Sequence, residues 1–121
     1  MSASRSRRRP PEPPLKPAAF LILVSLSAGD RHGYALRRAV AERSNGTVRL
    51  GPASLYRTIA ALLEAGAIEE SERRPAPELD DERRRYYRLT ERGRQTLRAE
   101  VRRLEELTAA ARAVMPARTR P

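Results

Sequence analysis

The residues best suited to chemistry lie in the stretch GPASLYRTIAALLEAGAIEE, residues 51–70, which predicts a helix followed directly by a strand. Aliphatic residues recur every three or four positions, so the helix should have a buried stripe of Leu55, Ile59, Leu62 and Leu63. The opposite face carries small side chains and one long cation, Arg57. Such a face suits the major groove of B-DNA, which is about 12 Å wide and admits a helix.

Five positions of this helix are therefore candidate DNA contacts: Ala53, Ser54, Tyr56, Arg57 and Thr58. An arginine can donate two hydrogen bonds to guanine, and a serine can bond a base edge or a phosphate. The hydroxyls of Tyr56 and Thr58 flank the face and could meet the sugar-phosphate backbone. The alternative is an ordinary exposed face that is rich in alanine because alanine is the best helix former.

Composition narrows the classes of partner and activity. The chain has 25 Lys+Arg against 15 Asp+Glu, a net charge of +10, which favours nucleic acid or an anionic membrane. It has no cysteine and one histidine, so we expect no metal site, and a cytoplasmic location is compatible. We expect no bound organic cofactor either, because no Gly-rich phosphate-binding loop is present. The longest apolar run, residues 18–29, is shorter than the about 20 residues that span a bilayer. No catalytic constellation has usable spacing, so we expect no enzyme.

Helical and strand patterns divide the chain into four parts. Residues 1–17 form an Arg/Pro-rich arm that we expect to be disordered, and either lies along phosphates or is a free tail. Residues 18–89 contain three helices and a two-stranded β-hairpin, with Asp30 as the candidate N-cap of the second helix. Residues 90–115 form a long helix and 116–121 a frayed tail. The fold class is mainly α with a small hairpin, the winged helix-turn-helix arrangement.

The predicted hairpin is rich in arginine. Antiparallel pairing would bring together, at the base of the loop, Arg73, Arg74, Arg83, Arg84 and Arg85. Like charges repel one another unless an anion lies nearby, so we expect them to contact DNA phosphates. The acidic loop segment ELDDE, residues 78–82, offers the alternative of internal neutralisation.

The last helix carries an apolar seam on an otherwise charged surface. The seam follows alternating steps of four and three: Leu97, Val101, Leu104, Thr108, Ala111 and Met115. A domain of this size does not need so long an amphipathic helix for its own core, so we expect the seam to bind a second copy of the chain. The alternative is a helix that folds back on its own domain.

Three segments together resemble the PadR family of bacterial transcriptional regulators: HGYALRRAV, LGPASLYRTIAALLEAGAIEE and RRYYRLTERGRQTL. The resemblance covers His32 to about residue 113, and the single helix after the wing is similar to short-form members. It implies a cytoplasmic homodimer, usually a repressor, that binds double-stranded DNA at a palindromic operator. It also implies a DNA contact for Tyr34. Some members release DNA when a phenolic acid or a planar drug binds near the dimer interface. In the drug-binding type tryptophan holds the ligand, but this chain has no Trp.

Two other functions remain open at this stage. A basic RNA- or ribosome-associated protein would share the charge, although sequence-specific RNA modules stack bases on aromatic side chains and this chain has four Tyr and one Phe. A protein-interaction adaptor would use the last helix to bind a different protein. Comparing duplex DNA with structured RNA separates the first alternative from a DNA regulator, and the oligomeric state of the purified chain separates the second.

Overall fold

The computed structural model describes residues 14–71 and 85–116, and all statements below concern this part of the chain. It contains four helices: α1 (Pro17–Ser27), α2 (Gly33–Arg43), α3 (Pro52–Glu64) and α4 (Glu91–Val114). It also contains three short strands: β1 (Arg31–His32), β2 (Ile68–Glu70) and β3 (Tyr86–Leu89). The order of helices and the strand pair after α3 agree with the prediction from sequence, and Leu15 of the predicted arm already packs against the core.

The strands form one antiparallel sheet in the order β1-β3-β2, with Ile68 opposite Leu89 and Arg31 opposite Tyr87. The third strand was not predicted, because two residues are too few to show the alternation by which a strand is recognised. The expected cap of α2 was wrong as well. His32 is the N-cap and its Nδ1 accepts a hydrogen bond from the Ala35 N–H at 3.0 Å, whereas Asp30 accepts one from Ser71 Oγ at 2.7 Å.

The core lies around α1, which is apolar on nearly all sides and packs against α2, α3, β3 and α4. Its buried side chains Ile22, Leu23 and Leu26 meet the inner faces of the other elements. Three of the four predicted stripe residues of α3 are buried, but Leu63 is 36 % exposed. The reason is geometric, because Leu63 lies about 80° around the helix from the first residue of the stripe.

The start of α4 is fixed against the turn that follows α3. The Thr90 side chain accepts a hydrogen bond from the Gly93 N–H at 3.0 Å and donates to the carbonyls of Gly66 and Ala67 at 2.6 and 2.9 Å. Gly93 packs so closely on the Ala67 carbonyl that a Cβ at position 93 would collide with it. The winged domain and the long helix are therefore joined by a close backbone contact.

Only the first part of α4 belongs to the core. Gly93, Thr96 and Glu100 are buried and Leu97 is half-buried, whereas every residue from position 104 to 116 is exposed. The second half of α4 therefore projects from the domain with no cover from the described residues. None of the helices in these ranges is long and apolar enough to cross a bilayer.

Candidate nucleic-acid interface

The outward side of α3 is flat, with one long side chain. Pro52 lies in the first turn after the N-cap Gly51, and the buried residues Leu55, Ile59 and Leu62 orient the helix. Its exposed side, here called the reading face, consists of Ala53, Arg57, Ala60, Ala61 and Glu64. Ala53 and Arg57 were predicted from the sequence as DNA contacts, and the structure leaves all five residues open to a partner.

The side chain of Arg57 on the reading face is oriented by a hydrogen bond within α3. Arg57 Nη2 donates to Ser54 Oγ at 3.3 Å, so both side chains can meet one ligand. Among the described residues no carboxylate forms an ion pair with Arg57. Thr58 Oγ1 donates to the Ser54 carbonyl at 2.9 Å, so its hydroxyl oxygen is left to accept rather than donate. Arg57 is therefore the cation that this face offers to an anionic or hydrogen-bond-accepting partner.

Tyr56 has a different environment from its neighbours on α3. It is half-buried against the core, and its hydroxyl fills the space that a side chain at position 33 would occupy. It thus holds the N-terminus of α2 against α3. This placement gives the side chain a packing role and does not support the DNA contact expected for it.

A basic cleft lies beside the N-terminus of α3, with a volume of about 400 Å³. It is lined by Tyr34, Arg37, Arg38, Ala41, Arg49, Leu50 and Gly51. Arg37 Nε donates to the Leu50 carbonyl at 2.7 Å, which ties α2 to the connector before α3. Tyr34 is 53 % exposed, so its side chain is available at the cleft. No acidic residue lines the cleft, and guanidinium groups of this kind suit phosphate.

The three arginines of the basic cleft were missed in the sequence. Arg37 and Arg38 lie in α2, and Arg49 lies in the connector to α3. The adjacent pair Arg37 and Arg38, just before the candidate reading helix, was the available signal in the sequence. The sequence does not show that Arg49 of the connector folds back beside this pair. Together the three arginines add a second basic patch, beside the N-terminus of α3, to the candidate interface.

The arginines of the wing are only partly described. Arg73, Arg74, Arg83 and Arg84 lie outside the described residues, so their expected role stays a prediction. Arg85 is described and its Nη1 lies 3.0 Å from a carboxylate oxygen of Glu70. Arg88 pairs similarly with Glu69 at 2.7 Å. The glutamates of β2, which were not considered in the sequence, thus neutralise Arg85 just before β3 and Arg88 within it, although exposed pairs contribute little to stability.

The predicted seam of α4 divides into two parts. Leu97 packs against its own core, whereas Val101 and Leu104 are each 37 % exposed and the seam continues through exposed Thr108, Ala111 and Met115. Phe20 of α1 adds to this surface and forms an apolar groove with Val101, Leu104, Glu105, Thr108, Ala109 and Arg112. Leu107, 53 % exposed, is a further exposed leucine of α4 and was missed because it lies outside the heptad positions.

Glu100 is a buried carboxylate, only 1 % exposed, that sequence analysis did not single out. Its two oxygens accept hydrogen bonds from Arg103 Nε and Nη2, both at 2.8 Å, and Oε2 also accepts from the Leu15 N–H at 3.1 Å. The Arg103 guanidinium holds the pKa of this carboxyl below its usual value, the Leu15 N–H acts in the same direction, and burial opposes both. Glu100 therefore joins α4 to the segment that enters α1.

We expect Glu100→Gln to lower the free energy of unfolding by about 2 kcal/mol at neutral pH, because it removes charge-assisted hydrogen bonds. Because the pKa of Glu100 is lower in the folded state, its carboxylate stabilises the fold at pH values above the unfolded-state pKa, which is about 4.3 for glutamate. This stabilisation is lost as the pH falls through the folded-state pKa. Urea unfolding should therefore show a parent–variant difference at about pH 7 that shrinks at about pH 3. Glu106→Gln, on the exposed side of α4, should show no such difference.

The fold is that of a winged helix-turn-helix protein. It has three helices, the third with an exposed arginine, and a small antiparallel sheet. Within the described residues no cluster of three or more His, Asp or Glu side chains could hold a metal ion. The sequence matches the model of the transcriptional regulator PadR-like family over residues 22–99. The chain belongs to this family, which consists of transcriptional regulators and not of enzymes.

Solved structures with the same fold agree with this assignment. A transcriptional regulator from Clostridium thermocellum matches at a TM-score of 0.66 and 21 % identity, over 81 % of this chain and 92 % of that one. A PadR family transcription regulator from Clostridium difficile R20291 matches at a TM-score of 0.67 and 18 % identity, over 81 % of this chain and 97 % of that one. The complex structure of hsRosR-S4 matches at a TM-score of 0.58 and 27 % identity, over 87 % of this chain and 79 % of that one. A search of curated proteins finds no match.

Proposed function

We propose that this chain is a homodimeric transcriptional repressor that binds double-stranded DNA at a palindromic operator. The observation that supports this most directly is the reading face of α3, where Arg57 stands among alanines with no ion pair to a described carboxylate. In the major groove the alanines allow close approach and Arg57 reaches guanine O6 and N7, with Ser54 beside it. The reading face supplies base recognition, and the basic cleft beside it binds phosphates.

Dimerisation follows from the apolar groove and the exposed half of α4. Aliphatic side chains at this density on a projecting helix favour a self-complementary contact about a two-fold axis. Two copies related in this way present two copies of α3 to the DNA. Half-sites read by such dimers lie about one helical turn, roughly 10 base pairs, apart. Symmetry of the protein then requires a symmetric operator.

Repression and its relief complete the proposal. A dimer seated across a promoter excludes polymerase, and the family resemblance favours repression over activation. A small-molecule inducer would release the DNA by binding near the dimer interface. Because the chain has no Trp, such a ligand would have to be held by other side chains, and Phe20 lies in the apolar groove.

The test of this function is selection of binding sites from randomised duplexes, followed by substitution of Arg57. We expect the parent to select a two-fold symmetric site, and Arg57→Ala to lose about 1–3 kcal/mol of binding free energy and the preference at one position in each half-site. Arg98→Ala, an exposed arginine of α4, serves as the matched control and should retain that preference. Equal affinity for structured RNA at the same salt concentration would instead favour an RNA-binding protein.

A further inference from the structure

A cleft lies between the start of α1 and the helix α3, and it includes part of the reading face. Its volume is about 560 Å³, and pockets for small molecules have volumes of about 300–1,000 Å³. We call it the entry cleft. The described residues that line it come from the segment that enters α1, from the connector before α3 and from α3 itself, and they include Leu15, Lys16, Leu50, Ser54, Arg57 and Leu62.

The walls of the entry cleft are aliphatic and are held in place by the fold. Leu15 and Leu50 pack against the core, and Leu62 is buried in it. The Leu15 N–H donates to Glu100 Oε2 at 3.1 Å. The Leu50 carbonyl accepts a hydrogen bond from Arg37 Nε at 2.7 Å. None of the described lining residues is aromatic, so the walls suit an aliphatic chain better than a planar ring, which gains from contact with other rings.

Two cations and a hydroxyl group give the entry cleft a polar side. Lys16 and Arg57 are exposed there, and neither forms an ion pair with a described carboxylate. Ser54 Oγ accepts from Arg57 Nη2 at 3.3 Å, so its own O–H is left to donate to a ligand. None of the described lining residues is acidic. This set of donors suits a carboxylate, which accepts charge-assisted hydrogen bonds from guanidinium and ammonium groups.

The two clefts described above each lack one of these features. The basic cleft beside α3 has three arginines, but its aliphatic side chains are only Ala41 and Leu50 among the residues that line it, so it suits phosphate. The apolar groove between α1 and α4 is lined by one acid, Glu105, and one base, Arg112, so its described lining has no excess charge. The entry cleft combines aliphatic walls with an excess of positive charge.

We propose that the entry cleft binds an aliphatic carboxylate, such as the anion of a medium-chain fatty acid, and that the bound anion competes with DNA for Arg57. The carboxylate accepts hydrogen bonds from Arg57 and Lys16, and the chain lies against the aliphatic walls. A guanidinium group that holds a carboxylate is not free to donate to guanine O6 and N7. The competition rests on the proposed function, whereas binding of the anion does not.

Equilibrium dialysis of the full chain against radiolabelled octanoate tests the binding without DNA. We expect saturation at one molecule per protomer. Octanol, which has the same chain and no charge, should bind at least about tenfold more weakly, because it lacks the charge-assisted hydrogen bonds. Cinnamate, a planar aromatic carboxylate, should also bind more weakly than octanoate. Equal binding of octanol, or tighter binding of cinnamate, would overturn the proposal.

Single substitutions locate the bound anion. We expect Lys16→Ala and Arg57→Ala each to weaken octanoate binding by about tenfold, since each removes a charged hydrogen-bond donor. Arg98→Ala, which removes an exposed arginine of α4 outside the entry cleft, is the matched control and should bind octanoate as the parent does. Leu104→Glu tests the apolar groove instead. Loss of binding in Leu104→Glu together with unchanged binding in Lys16→Ala would place the anion in that groove and contradict the proposal.

Titration of the selected operator at constant ionic strength tests the competition. With octanoate at ten times its Kd, we expect the apparent operator affinity of the parent to fall by at least about tenfold, and octanol to leave it unchanged. Lys16→Ala should show a smaller fall at the same octanoate concentration. Octanoate that binds without lowering operator affinity would overturn the competition. If the parent selects no duplex at all, the proposed function fails, and dialysis still decides whether the entry cleft binds the anion.

Discussion

Leu104→Glu is expected to convert the proposed dimer into a monomer and to lower affinity for the selected operator by at least about 100-fold. Leu104 lies in the apolar groove between α1 and α4, where a two-fold partner would bury it. A glutamate there, repeated by symmetry on the partner, places carboxylates in a desolvated contact at considerable cost. Loss of the second protomer also removes the avidity that two linked reading helices provide.

The measurement is sedimentation equilibrium together with DNA titration. Ala110→Glu is the matched control, because it adds the same charge to an exposed position of the same helix, on the side away from the seam. It should leave both the mass and the affinity near those of the parent. A Leu104→Glu protein that sediments as a dimer and binds as well as the parent would show that α4 does not pair through this groove.

Gly93→Ala is expected to produce a large loss of stability. The added methyl group would run into the Ala67 carbonyl, a backbone atom that cannot rotate away, and into the Leu89 side chain. Overpacking of this kind costs about 3 kcal/mol. In a domain of this size each kcal/mol lowers Tm by about 4–8 °C, so Tm should fall by more than about 10 °C.

Thermal and urea unfolding measure this effect. Gly51→Ala makes the same chemical change at a position where an added Cβ meets nothing within 4 Å, and it should cost less than about 1 kcal/mol through the N-cap alone. Equal stabilities for the two variants would contradict the close packing of α4 on the turn after α3. The comparison therefore tests the joint between the winged domain and the long helix.

The predictions that the structure confirms are based on periodic patterns of apolar residues. The α3 stripe, confirmed at Leu55, Ile59 and Leu62, and the long helix α4 each follow from neighbours within a few residues. β3 was predicted as the second strand of the hairpin because alternation extends over four residues, and its inward face consists of Tyr87 and Leu89. Periodic patterns therefore predict an element correctly where its buried face follows from its own sequence.

Contacts between distant segments account for most of what was missed. β1 forms only because β3 offers it a free edge, and Leu15 is ordered by a carboxylate 85 positions away. Leu97 follows the heptad pattern of α4 but is taken up by its own core. Periodicity identifies an apolar residue without showing whether its neighbour comes from the same chain or another. The basic cleft is a similar case, because its arginines come from two segments that meet only in the fold.

The most direct test of a two-fold DNA-reading dimer is hydroxyl-radical footprinting of the full chain on its selected duplex. We expect two equivalent protected regions, related by a dyad, with centres about one helical turn or 10 base pairs apart. Protection should weaken as salt concentration rises, because phosphate contacts contribute to binding. A single asymmetric protected region, or protection that does not change with salt, would contradict the account.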